Sequence, residues 1–518
     1  MPLFLLPAAA GLLLAAAFPR TSQAWLGWVA WIPLIVFVVR AAGKRAAFFG
    51  GWLAGAVQFF ILLRWMPDVM KNYGAMSSLI SWVVYALLVV VLACYPAAVC
   101  AFAKYIVLRR NERCLLLFPF VWIAMELLMS VSPFNGFPWL LAGYSQTGFL
   151  PVIQMADITG IYGVSFLLIF VNTAVAWFIH KKAPGAVKTS FRNEKEAFVP
   201  LLAAIVLTGG VLIYGHAAVK RWEKVETPFQ AALLQGNIAV DDPYEVKHEK
   251  FEHGYARMAD DLTPGLVDLL ILPESSAPKS FQYNDAYRLT MENIARRHSM
   301  GLVLSNNNLK RLDDTTSEYF NSAFFLAGDG TLSGVYDKVH LVPFGEYVPY
   351  RKLLFFIEAI SDETGGFSEG REQKIITLGG RPANAVICFE AVFPDFVRKF
   401  VALGSQVIVN LTNDGWYGIS SAPYHHLEIA RARAVENRRF FLRAANTGFS
   451  AVIEPTGRIA VSTGLNQEAV CLGRFGFIEE KTFYSRHGNV FAWLCVIIFV
   501  VTGILAVARP NKNGGSNA

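Results

Sequence analysis

The feature that most constrains this chain is the spacing of its long apolar blocks. They lie near residues 2–18, 25–42, 47–63, 77–103, 115–131, 160–180, 197–216 and 489–508, and one polar stretch of about 270 residues separates the last from the rest. A bilayer core of ~30 Å asks for about 20 helical residues, and somewhat shorter segments cross with adjustments at their flanks. Eight transmembrane helices are therefore expected, the first and third at the margin of length. The first block ends in small residues like a secretory signal. It lacks a basic lead-in and further spans follow at once, so it reads as a retained helix. The balance of 54% hydrophobic against 16% charged residues agrees with a membrane chain.

Basic residues orient it. Arg40, Lys44 and Arg45 follow the second block, and Lys104, Arg109, Arg110 and Arg113 follow the fourth. Lys181, Lys182, Lys188, Arg192 and Lys195 follow the sixth, and Arg509 and Lys512 the eighth; the alternate short loops hold only Arg20, Arg64 and Lys71. By the positive-inside rule both termini are cytoplasmic and the polar stretch lies on the far side, the periplasm in a cell with two membranes. The expected organisation is 1–216 as spans one to seven and 217–488 as an extracytoplasmic domain. Span eight is then 489–508, and 509–518 a cytoplasmic tail. Because many of the basic residues behind the net charge of +7 sit in loops rather than on one soluble face, a nucleic-acid partner is not expected. No charged residue is read in the middle of a confident span, which argues against a transport path.

The polar stretch has another texture. Strand-like runs recur at 229–238, 267–275, 301–308, 383–391 and 405–414, with helix-period segments near 245–262, 284–299 and 423–438. Apolar strands alternating with helices indicate a layered α/β domain. Segments 319–337 and 440–462 read instead as antiparallel hairpins turning at Gly328-Asp329-Gly330 and Pro455-Thr456-Gly457. Of the six cysteines only Cys388 and Cys471 fall here, with no CxxC pair. The sequence leaves a disulfide between them open.

Three ionisable residues stand at strand ends or in tight turn sequence: Glu274 closing LLILPES, Lys338 in GVYDKVHLVPFGEYVP, and Cys388 in NAVICFEAVFPD. A carboxylate at the end of an apolar strand is costly to bury without a partner or a task, and strand ends are where α/β folds place their sites. Cysteine is the strongest side-chain nucleophile near neutral pH once a base or a positive charge makes it a thiolate. Glu274 suits the base. Lys338 suits the countercharge and, with the Phe389 backbone N–H, the stabilisation of an oxyanion. Taken alone, Cys388 reads first as a packed core thiol, Glu274 at least as readily as a satisfied structural carboxylate as a base, and Lys338 as a surface lysine.

The ordered set of motifs changes that balance. FPWLLAGYSQ (137–146), LQGNI (234–238), LPES (272–275), DKVHLVPFGEYVP (337–349), CFEAVFP (388–394), NDGWYG (413–418) and the run 425–458 together resemble the nitrilase, or carbon–nitrogen hydrolase, superfamily. With the flanking spans, the resemblance is to its membrane-bound apolipoprotein N-acyltransferase family, over nearly the whole chain. It implies an αββα sandwich with a Glu274–Lys338–Cys388 triad, supported by Glu346, Phe389 and Glu390, with Phe389 standing where tyrosine is frequent. The implied reaction is ping-pong. Cys388 takes an acyl chain from a phospholipid such as phosphatidylethanolamine as a thioester. It passes the chain to the α-amine of a lipoprotein N-terminal diacylglyceryl-cysteine in the bacterial inner membrane. A membrane-bound amidase or nitrilase with the same trio is the alternative, and eight spans favour a lipid substrate over it.

Trp416 and Tyr417 in NDGWYG are candidates for the lipid entrance. Trp139 and Tyr144 suit an interfacial segment near the acyl chain. His425-His426 point about 100° apart on a helix without a third ligand, so a structural or rim role is expected, with no metal and no other cofactor. NLT at 410–412 reads as a strand end.

Overall fold

The computed structural model describes residues 2–21, 23–74, 76–132, 135–182, 191–276, 280–311, 313, 317–347 and 366–508. The expected tail 509–518 and Lys188 lie outside them. The chain divides into two compact units: Met1–Pro67 with Ser78–Ala217 and Asn489–Ala518, and Asp68–Ser77 with Ala218–Gly488.

The first unit is helical. All eight apolar blocks carry helix: Leu5–Ala17, Ile32–Arg40, Lys44–Leu62, Ser78–Arg109, Phe118–Met129, Ile161–Lys182, Phe191–Trp222 and Val490–Ala508. Among the described residues five are long and apolar enough to cross a membrane, namely those centred on 44–62, 78–109, 161–182, 195–222 and 490–508. The other three have 13, 9 and 12 residues, roughly 14–20 Å at 1.5 Å per residue, short of a bilayer core. In two of them a tighter helical turn, Ala24–Trp28 or Glu112–Leu117, precedes an α-helix that starts at a proline.

Small residues set the packing of the longer helices. A Cβ at Gly51 would lie 2.6 Å from the Pro96 carbonyl oxygen and one at Gly55 2.5 Å from the Pro96 ring, so the two helices meet through a Gly-xxx-Gly face. One charge overturns the expectation of charge-free spans. Glu126, on Phe118–Met129, is buried, and its Oε1 accepts the Ala142 N–H at 2.8 Å and the Trp122 indole N–H at 3.1 Å. That carboxylate ties the helix to the turn Ala142–Gln146.

The second unit is built on two six-stranded sheets. The strands are β1 Phe229–Gln235, β2 Leu269–Ile271, β3 Gly301–Arg311, β4 Ser317–Leu326, β5 Leu332–Asp337, β6 Ile376–Leu378, β7 Arg381–Ile387, β8 Val407–Thr412, β9 Phe441–Ala445, β10 Ala451–Ile453, β11 Ile459–Ser462 and β12 Ala469–Phe475. Their orders are β12-β1-β2-β3-β4-β5 and β11-β10-β9-β8-β7-β6. Each sheet has three parallel central strands, β1–β3 and β7–β9, flanked by antiparallel ones. Both expected hairpin segments are antiparallel, with Gly330 and Gly457 at φ +81° in their turns.

Period-two alternation makes the layers. Ala231, Leu233, Ile271 and Val303 face the core shared with Ala385, Ile387, Val409 and Leu411 of the other sheet. Their neighbours Ala232, Leu234, Leu270 and Leu302 pack on Tyr255, Met258, Met291 and Ile294 of the helices Tyr255–Asp260 and Asp285–His298. Helices Pro394–Ala402 and Ala422–Asn437 contribute Val397, Phe400, Leu427 and Ala430 on the second sheet. The order is helix, sheet, sheet, helix. Cys471 on β12 is a buried free thiol, and so is Cys388; they form no disulfide.

Candidate active site

The chain turns just beyond the ends of strands β2, β5 and β7. β2 stops at Ile271 and Glu274 follows, with Ser275 at φ +55°. β5 stops at Asp337 and Lys338 follows, its N–H held by the Asn321 carbonyl of β4 at 2.8 Å. β7 stops at Ile387, and Cys388 opens a tight helical turn through Val392 at φ +49°. A left-handed conformation at a residue with a side chain is strained, and such strain gathers at functional sites. Phe393 then caps Pro394–Ala402, with proline in its first turn.

The three residues meet. Lys338, 1% exposed, puts its Nζ 2.9 Å from Glu346 Oε1 and 3.5 Å from Glu274 Oε1. Asn321 Nδ2 donates to Glu274 Oε1 at 2.8 Å and to Glu346 Oε1 at 3.1 Å, and the Asn413 N–H donates to Glu274 Oε2 at 3.0 Å. The Cys388 thiol stands within the electrostatic reach of both Glu274 and Lys338. Burial alone would lower the Lys338 pKa, but Glu346, Glu274 and Cys388 outweigh it and hold the ammonium charged. Glu274 is pushed up by burial, an effect the Lys338 charge offsets only in part, and by Glu346. The Cys388 thiol is raised by burial and by Glu274, so it rests protonated beside a carboxylate of enhanced basicity.

The supporting residues fix the turns. Glu346 Oε2 accepts the Val342 N–H at 2.8 Å, closing its own loop around Lys338. Glu390 is fully buried. Its Oε1 accepts from the Tyr336 hydroxyl at 2.7 Å and the N–H groups of Val339 and His340 at 2.8 and 3.0 Å; its Oε2 accepts the Ile387 N–H at 2.8 Å. One carboxylate thus holds the residue before Cys388 and the two after Lys338. Burial lifts its pKa to about 7, against the pull of those donors. Phe389 packs edge-on against Phe393 at 5.0 Å, and the His340 ring lies 3.7 Å from Phe393. Burial and then Lys338 hold His340 near 4, a neutral imidazole.

The remaining candidates divide. Trp416 is 41% exposed and meets Tyr73 edge to face at 5.0 Å, while Tyr417 lies 6.4 Å from the His426 ring. Trp139 and Tyr144 belong to the helical unit and are both buried; Trp139 stacks on Phe137 and tilts against Trp65. NLT is the end of β8, as read. His425 and His426 are buried, so the rim reading fails for both.

Sequence reasoning missed what lies beneath the cysteine. His426 Nε2 sits 3.2 Å from the Cys388 carbonyl oxygen, and its Nδ1 lies 3.0 Å from Asp414 Oδ1 and 3.2 Å from Arg443 Nη2. Arg443 reaches Asp414 Oδ2 at 2.6 Å and Asn410 Oδ1 at 2.7 Å. Burial would raise the Asp414 pKa, but Arg443 and His426 bring it down to about 2. The available signal was Arg443 in FLRAA, a charge inside an apolar strand that demands a buried partner.

Two stacked sheets between helices, with their polar residues at the strand ends, define a carbon–nitrogen hydrolase domain, whose family model matches residues 230–475. A second family model, the apolipoprotein N-acyltransferase N-terminal domain, matches residues 10–174. The chain is 37% identical to an apolipoprotein N-acyltransferase of Geobacter metallireducens over 98% of this chain and 96% of that one. It is 31% identical to one of Methylococcus capsulatus over 100% and 98%. The chain belongs to the apolipoprotein N-acyltransferase family. An amidase from Nesterenkonia sp. is 22% identical, with a TM-score of 0.36 over 49% of this chain and 92% of that one.

Proposed function

We propose that this protein transfers an acyl chain from a phospholipid, through a thioester on Cys388, to the α-amine of a lipoprotein's N-terminal diacylglyceryl-cysteine. The observation that carries the reading is a buried Lys338–Glu274 ion pair with a buried thiol in electrostatic reach of both, all three following strand ends, in a chain that holds both family domains. Glu274 takes the thiol proton, and the sulfur attacks the ester carbonyl of a donor such as phosphatidylethanolamine. Lys338 and the Phe389 N–H receive the oxyanion, and Glu274 returns the proton to the departing lysophospholipid. In the second half the amine attacks the thioester, Glu274 takes a proton from nitrogen, and Cys388 leaves as the thiol. Glu346, Asn321 and Glu390 hold these groups in register.

The loop charges favour both termini in the cytoplasm and residues 217–488 on the periplasmic side of a bacterial inner membrane. Exposed Trp416, beside Tyr73, is the candidate lip for the lipid.

The test is mass spectrometry of the full chain in detergent with phosphatidylethanolamine. The expected result is an acyl adduct on Cys388 that hydroxylamine removes, that Cys388→Ala lacks, and that a diacylglyceryl-cysteine peptide discharges as an amide. Absence of both the adduct and the acylated peptide would refute the proposal.

A further inference from the structure

We infer that His426 is a positioning residue for the oxyanion donor: it orients and polarises the peptide between Cys388 and Phe389. The inference rests on the acyl-transfer reading above, in which the Phe389 N–H meets the developing oxyanion. That N–H and the Cys388 carbonyl are the two ends of one planar peptide group. Whatever grips the oxygen therefore aims the hydrogen.

His426 grips it. Its ring, on helix Ala422–Asn437, is fully buried, with Nε2 3.2 Å from the Cys388 carbonyl oxygen. A carbonyl oxygen only accepts, so the contact assigns a hydrogen to Nε2. The opposite nitrogen is served from the strand side. Arg443 Nη2 lies 3.2 Å from Nδ1, and Asp414 Oδ1 shares that edge at 3.0 Å. Arg443 is itself locked by Asp414 at 2.6 Å, Asn410 at 2.7 Å and the Phe449 carbonyl at 3.2 Å. The ring is held along both edges, and its Nε2–H meets the one peptide that leaves a cysteine at φ +49°.

Hydrogen bonds in series strengthen one another, so a donor on the Cys388 carbonyl makes the Phe389 N–H a better donor at its far end. Losing an oxyanion donor outright costs about 10²–10³ in rate, and cooperative strengthening is roughly 10–30% of a bond; losing the polarisation alone predicts a fall of roughly twofold to eightfold.

The experiment separates this role from a role in holding the thiol. His426→Leu and His426→Met remove the donor, whereas His426→Gln keeps an N–H near the same place. Two single-turnover rates are measured on the full chain: acylation of Cys388 by phosphatidylethanolamine, and alkylation of Cys388 by iodoacetamide, a displacement at saturated carbon that forms no oxyanion. The expected result is slower acylation with unchanged alkylation in the apolar variants, and acylation restored in His426→Gln. Unchanged acylation in an apolar variant overturns the inference, as does a parallel fall in both rates. Where the apolar variants do not fold, His426→Gln decides. Wild-type acylation there supports the assignment, and lost acylation with intact alkylation overturns it. Absence of wild-type acylation is a separate result that refutes the acyl-transfer reading and removes the basis of this one.

Discussion

Asp414→Asn is the sharpest test of the buried network. The carboxylate is 1% exposed and stands between Arg443 and His426, with its pKa at about 2 against an ordinary 3.8. At 1.36 kcal/mol per pKa unit the difference is worth about 2–3 kcal/mol of stability at neutral pH. Asparagine, like a protonated aspartate, forfeits it. Breaking a buried ion pair costs about 3–5 kcal/mol where the abandoned charge has nothing else. Arg443 keeps Asn410 and the Phe449 carbonyl, so the expected loss lies nearer the lower figure. For a unit of this size that is a drop of roughly 5–12 °C in melting temperature. The assay is thermal unfolding of the full chain in detergent, followed by tryptophan fluorescence at pH 7 and at stepwise lower pH. Because the folded pKa is depressed, this stability is present above about 3.8 and is lost as pH falls through about 2. The gap between wild type and variant must therefore narrow on acidification and close near pH 2. A melting temperature unchanged at pH 7, or a gap indifferent to acid, refutes the reasoning.

Three further outcomes are expected. Gly448→Ala would put a Cβ 2.2 Å from Asp414 Oδ2, and with the carboxylate pinned the overpacking should cost about 1–3 kcal/mol and slow acylation, read by melting and single turnover. Glu126→Gln keeps a carbonyl oxygen for the Ala142 and Trp122 donors and should melt close to wild type, whereas Glu126→Leu orphans a buried N–H at about 1–3 kcal/mol; equal stability of the two variants contradicts this. Acylation should fall on the acid side as Glu274 protonates, with its midpoint above the ordinary carboxylate value of 4.5 because burial and Glu346 raise it; a pre-steady-state pH profile with a midpoint below that value contradicts the assignment of the base.

The sequence made the second unit legible because its strands are short apolar runs bounded by turn residues, and because Glu274, Lys338 and Cys388 lie in motif strings that keep their order. Span lengths were less legible. Hydropathy counts apolar residues, whereas Pro33 and Pro119 decide where the α-helix starts. Glu126 passed unnoticed within its apolar block, where only a fold brings the Ala142 N–H to it. Trp139 and Tyr144 look interfacial as isolated amphipathic rings, yet Phe137 and Trp65 bury the first of them. His426 reads from sequence only as a structural or rim residue beside His425, because its partners lie far apart in the chain: Asp414 after β8, Arg443 within β9 and the Cys388 carbonyl after β7. Asn321, an amide within the apolar strand β4, bridges two carboxylates that lie 72 residues apart in sequence, Glu274 and Glu346.

The pairing of β1 with β12 bears on the order in which the domain is made. Phe229 lies opposite Phe475, so the first strand to be synthesised waits for the last to cover its edge. Strands β1 to β5, with Glu274 and Lys338, precede Cys388 in the chain and are synthesised before it. The sheet is sealed only when residues 469–475 add alongside β1. Such non-local closure is slow and leaves an unpaired edge meanwhile. A chain cut short after β11 would carry Glu274, Lys338 and Cys388 but leave the β1 edge of the first sheet uncovered.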